Sequence, residues 1–189
     1  MNIKPFLIIV SGRPGSGKTT FAKKLGLEMF MPVIIRDEIK EGYVHSFGRK
    51  HSELSDKANK EATDIFFNML MELVNNNISV IAEAAFQHEI WSYYLGRFIG
   101  KTKMYLLICK TDDKIAFERF VNRGLNNPKR EYFHGDKGVD LARHGVDLSI
   151  SEYIEPHLDV PTLYVDTTGD YEPSIKKIEL LILNRAGRK

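Results

Sequence analysis

Residues Gly12-Arg13-Pro14-Gly15-Ser16-Gly17-Lys18-Thr19 fit the pattern G-x-x-x-x-G-K-[ST] and lie between an apolar run and an amphipathic one. That pattern has mechanical meaning only in a strand–loop–helix unit, and both flanks agree with one. Phe6-Leu7-Ile8-Ile9-Val10 has the length and branching of a buried parallel strand, while Phe21, Ala22, Leu25 and Met29 recur at helical spacing just after the glycines. Glycine at 12, 15 and 17 permits a tight bend and lets the backbone approach phosphate oxygens, so that successive N–H groups and the helix N-terminus face an anion. Lys18 adds a mobile cation at the β- and γ-phosphates, and the Thr19 hydroxyl is placed to ligate Mg²⁺, which needs only a few protein oxygens. The run Gly12 to Thr20, with Arg13, Pro14, Ser16 and Thr20 filling the positions among and after the glycines, is therefore expected to cradle the phosphates of a nucleoside triphosphate.

At 189 residues the chain is expected to form one domain, 1–189, large enough to bury a proper core. Its formal net charge of +2 implies no general affinity for polyanions. The single cysteine, Cys109, falls inside an apolar run and has no partner for an internal disulfide, which suits a reducing, cytoplasmic location. No apolar run approaches membrane-spanning length, and Met1-Asn2-Ile3-Lys4-Pro5 leads into a core strand rather than a cleavable signal. The histidines, at 45, 51, 88, 134, 144 and 157, show no metal-ligand spacing, although His134 and His144 fall where they could touch an acceptor.

Strand-like and helix-like segments alternate along the chain, which predicts an α/β fold: a five-stranded parallel sheet in three layers, with helices on both faces. The strands are expected near Phe6 to Val10, Val33 to Ile35, Ile78 to Ala82, Met104 to Cys109 and Thr162 to Val165. Ala62, Ile65, Phe66, Met69, Leu70, Leu73 and Val74 form an apolar stripe on a long helix ending at Asn75-Asn76-Asn77. From Gly124 to Gly145 four glycines, one proline and many charges show no clear period, which reads as a mobile lid over about 124–147 with some helix in it.

Motor-type ATPases place a pair of acids after a strand neighbouring the loop strand, whereas Cys109 is followed by Lys110-Thr111. A guanine-reading motif is missing from Lys110-Thr111-Asp112-Asp113 as well. Transfer of the γ-phosphoryl to an acceptor remains, and it requires a group to take the acceptor proton. In Ile34-Ile35-Arg36-Asp37-Glu38-Ile39-Lys40 an apolar strand ends at Arg36-Asp37, at the carboxyl edge where open α/β sheets bind ligands. Asp37 is then either the base or the cap of the helix that follows. Arg119 and Arg123 stand one turn apart on a helix opened by Thr111-Asp112-Asp113, at the mouth of the lid.

The phosphate loop, a strand ending in Arg-Asp and a strand ending in an acid (Val80-Ile81-Ala82-Glu83) together resemble P-loop kinases of the AAA-type ATP-binding group that includes polynucleotide kinase, zeta toxin and chloramphenicol phosphotransferase. The resemblance covers most of the chain in motif order, and only the loop is highly specific. It implies an ATP- and Mg²⁺-dependent kinase acting on an alcohol group, with Asp37 as the base. By the same resemblance Arg123 clamps the moving phosphate, Arg119 packs along the nucleotide, and Asp166-Thr167-Thr168-Gly169 skirts the adenine. Glu83 orients metal-bound water or substrate, or else pairs with a nearby Lys or Arg. Arg36, Lys40 and Arg130 complete the acceptor side. The partners expected are ATP and a hydroxyl-bearing small molecule. Two alternatives stand beside this reading: a polynucleotide 5′-hydroxyl kinase, favoured by the Arg36-Asp37 segment and by Lys129, Arg130, Lys137 and Arg143 in the lid, and an ATP-binding switch with slow hydrolysis.

Overall fold

The computed structural model describes residues 4–55, 57–135, 143–144 and 153–185. Five parallel strands form one sheet in the order β2-β3-β1-β4-β5: β1 (Phe6–Ser11), β2 (Val33–Ile35), β3 (Val80–Glu83), β4 (Lys103–Lys110) and β5 (Thr162–Asp166). The connecting helices are α1 (Lys18–Met29), α2 (Arg36–Phe47), α3 (Ala58–Asn75), α4 (His88–Leu95), α5 (Asp113–Asn126), α6 (Pro128–His134) and α7 (Ile175–Arg185), with short 3₁₀ turns at His51–Glu53 and Gly96–Phe98.

Alternation along the central strands produces two cores. Leu7 and Ile9 of β1 and Leu106 and Ile108 of β4 pack with Phe66, Phe67, Leu70, Trp91 and Phe98 on one face. Phe6, Ile8 and Val10 with Tyr105, Leu107 and Cys109 meet Phe21, Ala22, Leu25, Ile178 and Ile182 on the other. A strand buried on both faces has no polar side to show, which is why β1 reads as a continuous apolar run. The three-layer α/β fold expected from the sequence is thus the fold observed.

The differences are local. β3 begins at Val80 rather than Ile78, because Ile78 N–H bonds back to Leu73 O at 2.9 Å to close α3, and Ser79 Oγ is taken up by the Phe6 N–H at 3.0 Å. The stripe on α3 is rotated: Ile65 and Met69 are exposed, while Phe67 and Met71 join Ala62, Phe66, Leu70 and Val74 inside. α3 is apolar over more than half its girth near Phe66, so a choice of period alone does not fix the phase. Within the segment assigned to a lid, α5 continues through Asn126 and α6 covers Pro128–His134. Residues 136–142 and 145–147, the remainder of that segment, lie outside the described residues, as do Lys137 and Gly145.

Candidate active site

Strand register brings the first two parts of the site together. Val10 of β1 pairs with Glu83 of β3, so Glu83 stands beside the start of the phosphate loop. The loop closes on itself through Ser16 N–H to Arg13 O at 3.1 Å and enters α1 through Gly17, which takes a left-handed φ of 80°. No side chain caps the first turn of α1. Its leading N–H groups point into the open cleft, where an anion can bind them.

The glycines carry more than phosphate access. A Cβ at Gly12 would lie 2.6 Å from Cys109 O, and one at Gly15 would lie 1.9 Å from Ala116 O. These two glycines let the loop press against β4 and the first turn of α5. Arg13 strengthens the same junction, its Nη1 standing 2.5 Å from Asp113 Oδ1. Thr167, buried after β5, donates its single hydroxyl proton to Ser16 O or, at 2.8 Å, to Lys110 O. The cradle is thereby fixed by its neighbours before any ligand arrives.

Glu83 is 3 % exposed and accepts a hydrogen bond from Thr19 Oγ1 at 2.9 Å, with Lys18 Nζ at 3.8 Å from its other oxygen. Burial pushes its pKa up, and Lys18 and Thr19 pull it partly back. The pairing with Lys18 realises one of the two alternatives posed for Glu83. The carboxylate and hydroxyl oxygens also form a hard-oxygen donor set of the kind Mg²⁺ takes, so Thr19 and Glu83 fit that ion. The acid at the end of Val80-Ile81-Ala82-Glu83 thus stands beside the loop strand, since β3 and β4 both flank β1.

A cleft lined by Gly15, Gly17, Lys18, Thr19, Thr20, Arg119 and Arg123 joins the loop to α5. Asp112 caps that helix by accepting from Lys114 N–H at 2.9 Å and Ile115 N–H at 3.2 Å. Arg119 bonds Thr167 O at 3.3 Å and Thr168 O at 2.9 Å, which ties α5 to the loop after β5. Arg123, one turn on, faces the same cleft.

Across the cleft β2 runs straight into α2. Ile35 occupies the helix cap and Asp37 the first turn, so Asp37 is not the cap that the sequence left open. Nor does its strand lie beside the loop strand, since β3 separates β2 from β1. Asp37 is half-exposed, and Arg36 Nη1 lies 3.6 Å from Oδ1. Burial among surrounding groups raises its pKa, but His134, Lys18, Arg36 and Arg130 outweigh this and hold it below the usual carboxylate range. Lys18 of the phosphate loop is thus among the cations that act on Asp37.

The other acceptor-side residues are more engaged than the sequence implied. Arg36 Nη2 donates to Asn59 O at 3.0 Å and lies near Asn59 Oδ1 and Thr63 Oγ1, joining α2 to α3. Lys40 is buried and donates to His134 O at 3.2 Å, a helix-to-helix tie. Arg143 pairs with Glu131. His134, noted in the sequence only as a possible contact, is 6 % exposed and meets Glu41 at 2.7 Å. Its only sequence signal was its position one turn after Arg130.

Strand order, phosphate loop and flanking carboxylates define a P-loop kinase fold. Residues 7–139 match the model of the AAA domain family AAA_33, and the chain belongs to that family. No curated protein matches the sequence. Among solved structures, a putative kinase from Chloroflexus aurantiacus J-10-fl is similar at 22% identity and a TM-score of 0.75, with 98% of this chain and 97% of that one covered. A gluconokinase from Sinorhizobium meliloti 1021 is similar at 16% identity and a TM-score of 0.58, over 97% of this chain and 94% of that one. A chain of the Pnkp1/Rnl/Hen1 RNA repair complex is similar at 18% identity and a TM-score of 0.55, over 84% of this chain and 51% of that one. At these identities the likeness is one of fold. Among the described residues no helix is long and apolar enough to cross a membrane.

Proposed function

We propose that this protein is an ATP-dependent phosphotransferase that moves the γ-phosphoryl group to a hydroxyl of a small molecule. The observation that carries the proposal is the placement of Asp37 in the first turn of α2, directly after β2, at the same carboxyl edge of the parallel sheet as the phosphate loop and Lys18 after β1. An ionised carboxylate opposite a phosphate cradle is arranged to orient an incoming hydroxyl and accept its proton as the bond to phosphorus forms. When bound, ATP with Mg²⁺ supplies the transferable phosphoryl group and the neutralisation of its charge. Lys18 and the loop N–H groups hold the β- and γ-phosphates, Thr19 and Glu83 hold the ion, and Arg123 offsets charge that grows on the transferring group. Arg119 acts through the loop after β5, and so on nucleotide affinity. The chain acts as one domain, 1–189, with its lid over about 124–147, in the cytoplasm.

The Glu131 partner of Arg143 and the net charge of +2 favour a small acceptor over a polynucleotide, which would need a basic track. A switch with slow hydrolysis would show no stimulation by any acceptor. Steady ATP consumption is to be measured against sugars, sugar acids, polyols, nucleosides and a 5′-hydroxyl oligonucleotide. A small hydroxyl compound that stimulates turnover, and whose effect Asp37→Asn abolishes, is the expected result. Stimulation by the oligonucleotide alone, or by nothing, would overturn the assignment.

A further inference from the structure

α2 carries Asp37, Lys40, Glu41 and Val44 at positions i, i+3, i+4 and i+7, and hence on one face. α6 lies across that face. Lys40 Nζ donates to His134 O at 3.2 Å, and His134 Nε2 stands 2.7 Å from Glu41 Oε1. Gly135 ends α6 in a left-handed turn, φ 58°, so close to the 3₁₀ turn after α2 that a Cβ there would lie 3.0 Å from His51 Nδ1. Arg130 and His134 are themselves one turn apart on α6. An acidic pair on α2, Asp37 and Glu41, is thus set against a basic pair on α6, Arg130 and His134.

The phosphoryl transfer described above makes no use of His134, yet this titratable side chain is almost wholly enclosed and matched to a partner. Enclosing such a group is costly unless its polar atoms are satisfied, and Glu41 satisfies one of them. We propose that His134, held by Glu41, is a positioning residue for the acceptor base: it fastens α6 across the reactive face of α2, so that the acceptor binds between the two helices with Asp37 at the floor. This inference rests on the reading of Asp37 as the base.

Electrostatics point the same way. Burial raises the pKa of Asp37, and His134 leads the cations that lower it, ahead of Lys18, Arg36 and Arg130. His51, beside the end of α6, has its pKa lowered by burial and then by Lys40, with His134 and Arg36 adding to the effect against a hydrogen bond with Asn59 that raises it. Among the described residues, those that act on or meet His134 include Asp37, Lys40 and Glu41 from α2 and His51 from the turn, with Arg130 one turn away on its own helix.

The test is an NMR titration of the Asp37 carboxyl carbon in the full chain, native and His134→Gln. Glutamine keeps a donor for Glu41 and lacks the charge, so the Asp37 midpoint is expected to rise by roughly half a pH unit. His45→Gln, at the exposed last turn of α2, should leave it in place. An unchanged midpoint in a folded His134→Gln protein overturns the proposal. If that variant does not fold, the His134 ring itself is titrated in Glu41→Gln, where loss of the carboxylate is expected to lower its midpoint; no change there overturns the proposal equally. Binding of ADP with Mg²⁺ is measured alongside and should be the same in all variants. Failure of the native protein to bind ADP would sink the kinase reading while leaving the titration to decide the role of His134.

Discussion

At the scale of single residues, two carboxylates at the carboxyl edge of the sheet are shifted in opposite directions. Asp37 has a depressed pKa, so its ionised form contributes stability above the ordinary carboxylate range that is lost as pH falls through its folded value. Turnover should accordingly be flat through neutral pH on the acid side. Asp37→Asn keeps shape but cannot take a proton, and should lower turnover by about 10²-fold or more with melting temperature and ATP affinity nearly native. A variant that melts early but keeps its rate would make Asp37 structural. Glu83 has the opposite sign: its folded pKa is raised, so its contribution is full below the unfolded value and is lost as pH rises through the folded one. Urea unfolding of the ligand-free protein should show stability falling across that window, and the slope should be gone in Glu83→Gln. The same variant should need more Mg²⁺ for turnover, since it gives up the anionic oxygen beside Thr19.

At the scale of elements, α5 joins the phosphate loop to the loop after β5. Its first turn abuts the phosphate loop at Gly15 and Asp113, its middle grips the loop after β5 through Arg119, and Arg123 faces the cleft. Gly15→Ala must push Ala116 O from 1.9 Å and hold a Cβ at φ 82°, so it should lower both melting temperature and the shift that ATP produces in it. Arg123→Ala should reduce turnover more than ATP affinity, and Arg119→Ala should do the reverse. Equal and small effects at both arginines would leave them as a solvated helix face. Asp112→Ala removes a cap that takes two N–H groups and should cost about 1 kcal/mol in chemical denaturation.

At the scale of the whole molecule, the two cores hold the sheet, and the phosphate loop, Glu83 and Asp37 stand along its carboxyl edge. Occupation of the cradle should stabilise the native state by about 2.7 kcal/mol at a hundred times the dissociation constant. Lys18→Ala should abolish most of that gain in a thermal-shift measurement; without nucleotide the variant should still fold but melt somewhat lower, because Lys18 is the cation beside the buried Glu83 carboxylate. A full ADP shift in Lys18→Ala would remove the phosphate loop from nucleotide binding.

The sequence by itself determined the alternation of elements, all five strands and the phosphate loop, because these depend on short-range patterns: runs of apolar residues, glycines at fixed spacing, a cap before a helix. It did not determine the phase of α3, since a helix with Phe66 and Phe67 adjacent has two nearly equal apolar faces and only the sheet chooses between them. Nor could it say that β3 lies between β1 and β2, which is what brings Glu83, rather than Asp37, into contact with Lys18 and Thr19. The joining of α6 to α2 was invisible for the same reason: Lys40 and His134 are 94 residues apart, and a hydrogen bond between a side chain and a backbone carbonyl leaves no periodic trace in either segment. Local chemistry is written in residue order, but which charges share a cleft is decided by strand order and helix packing, and these follow from burying both faces of the sheet at once.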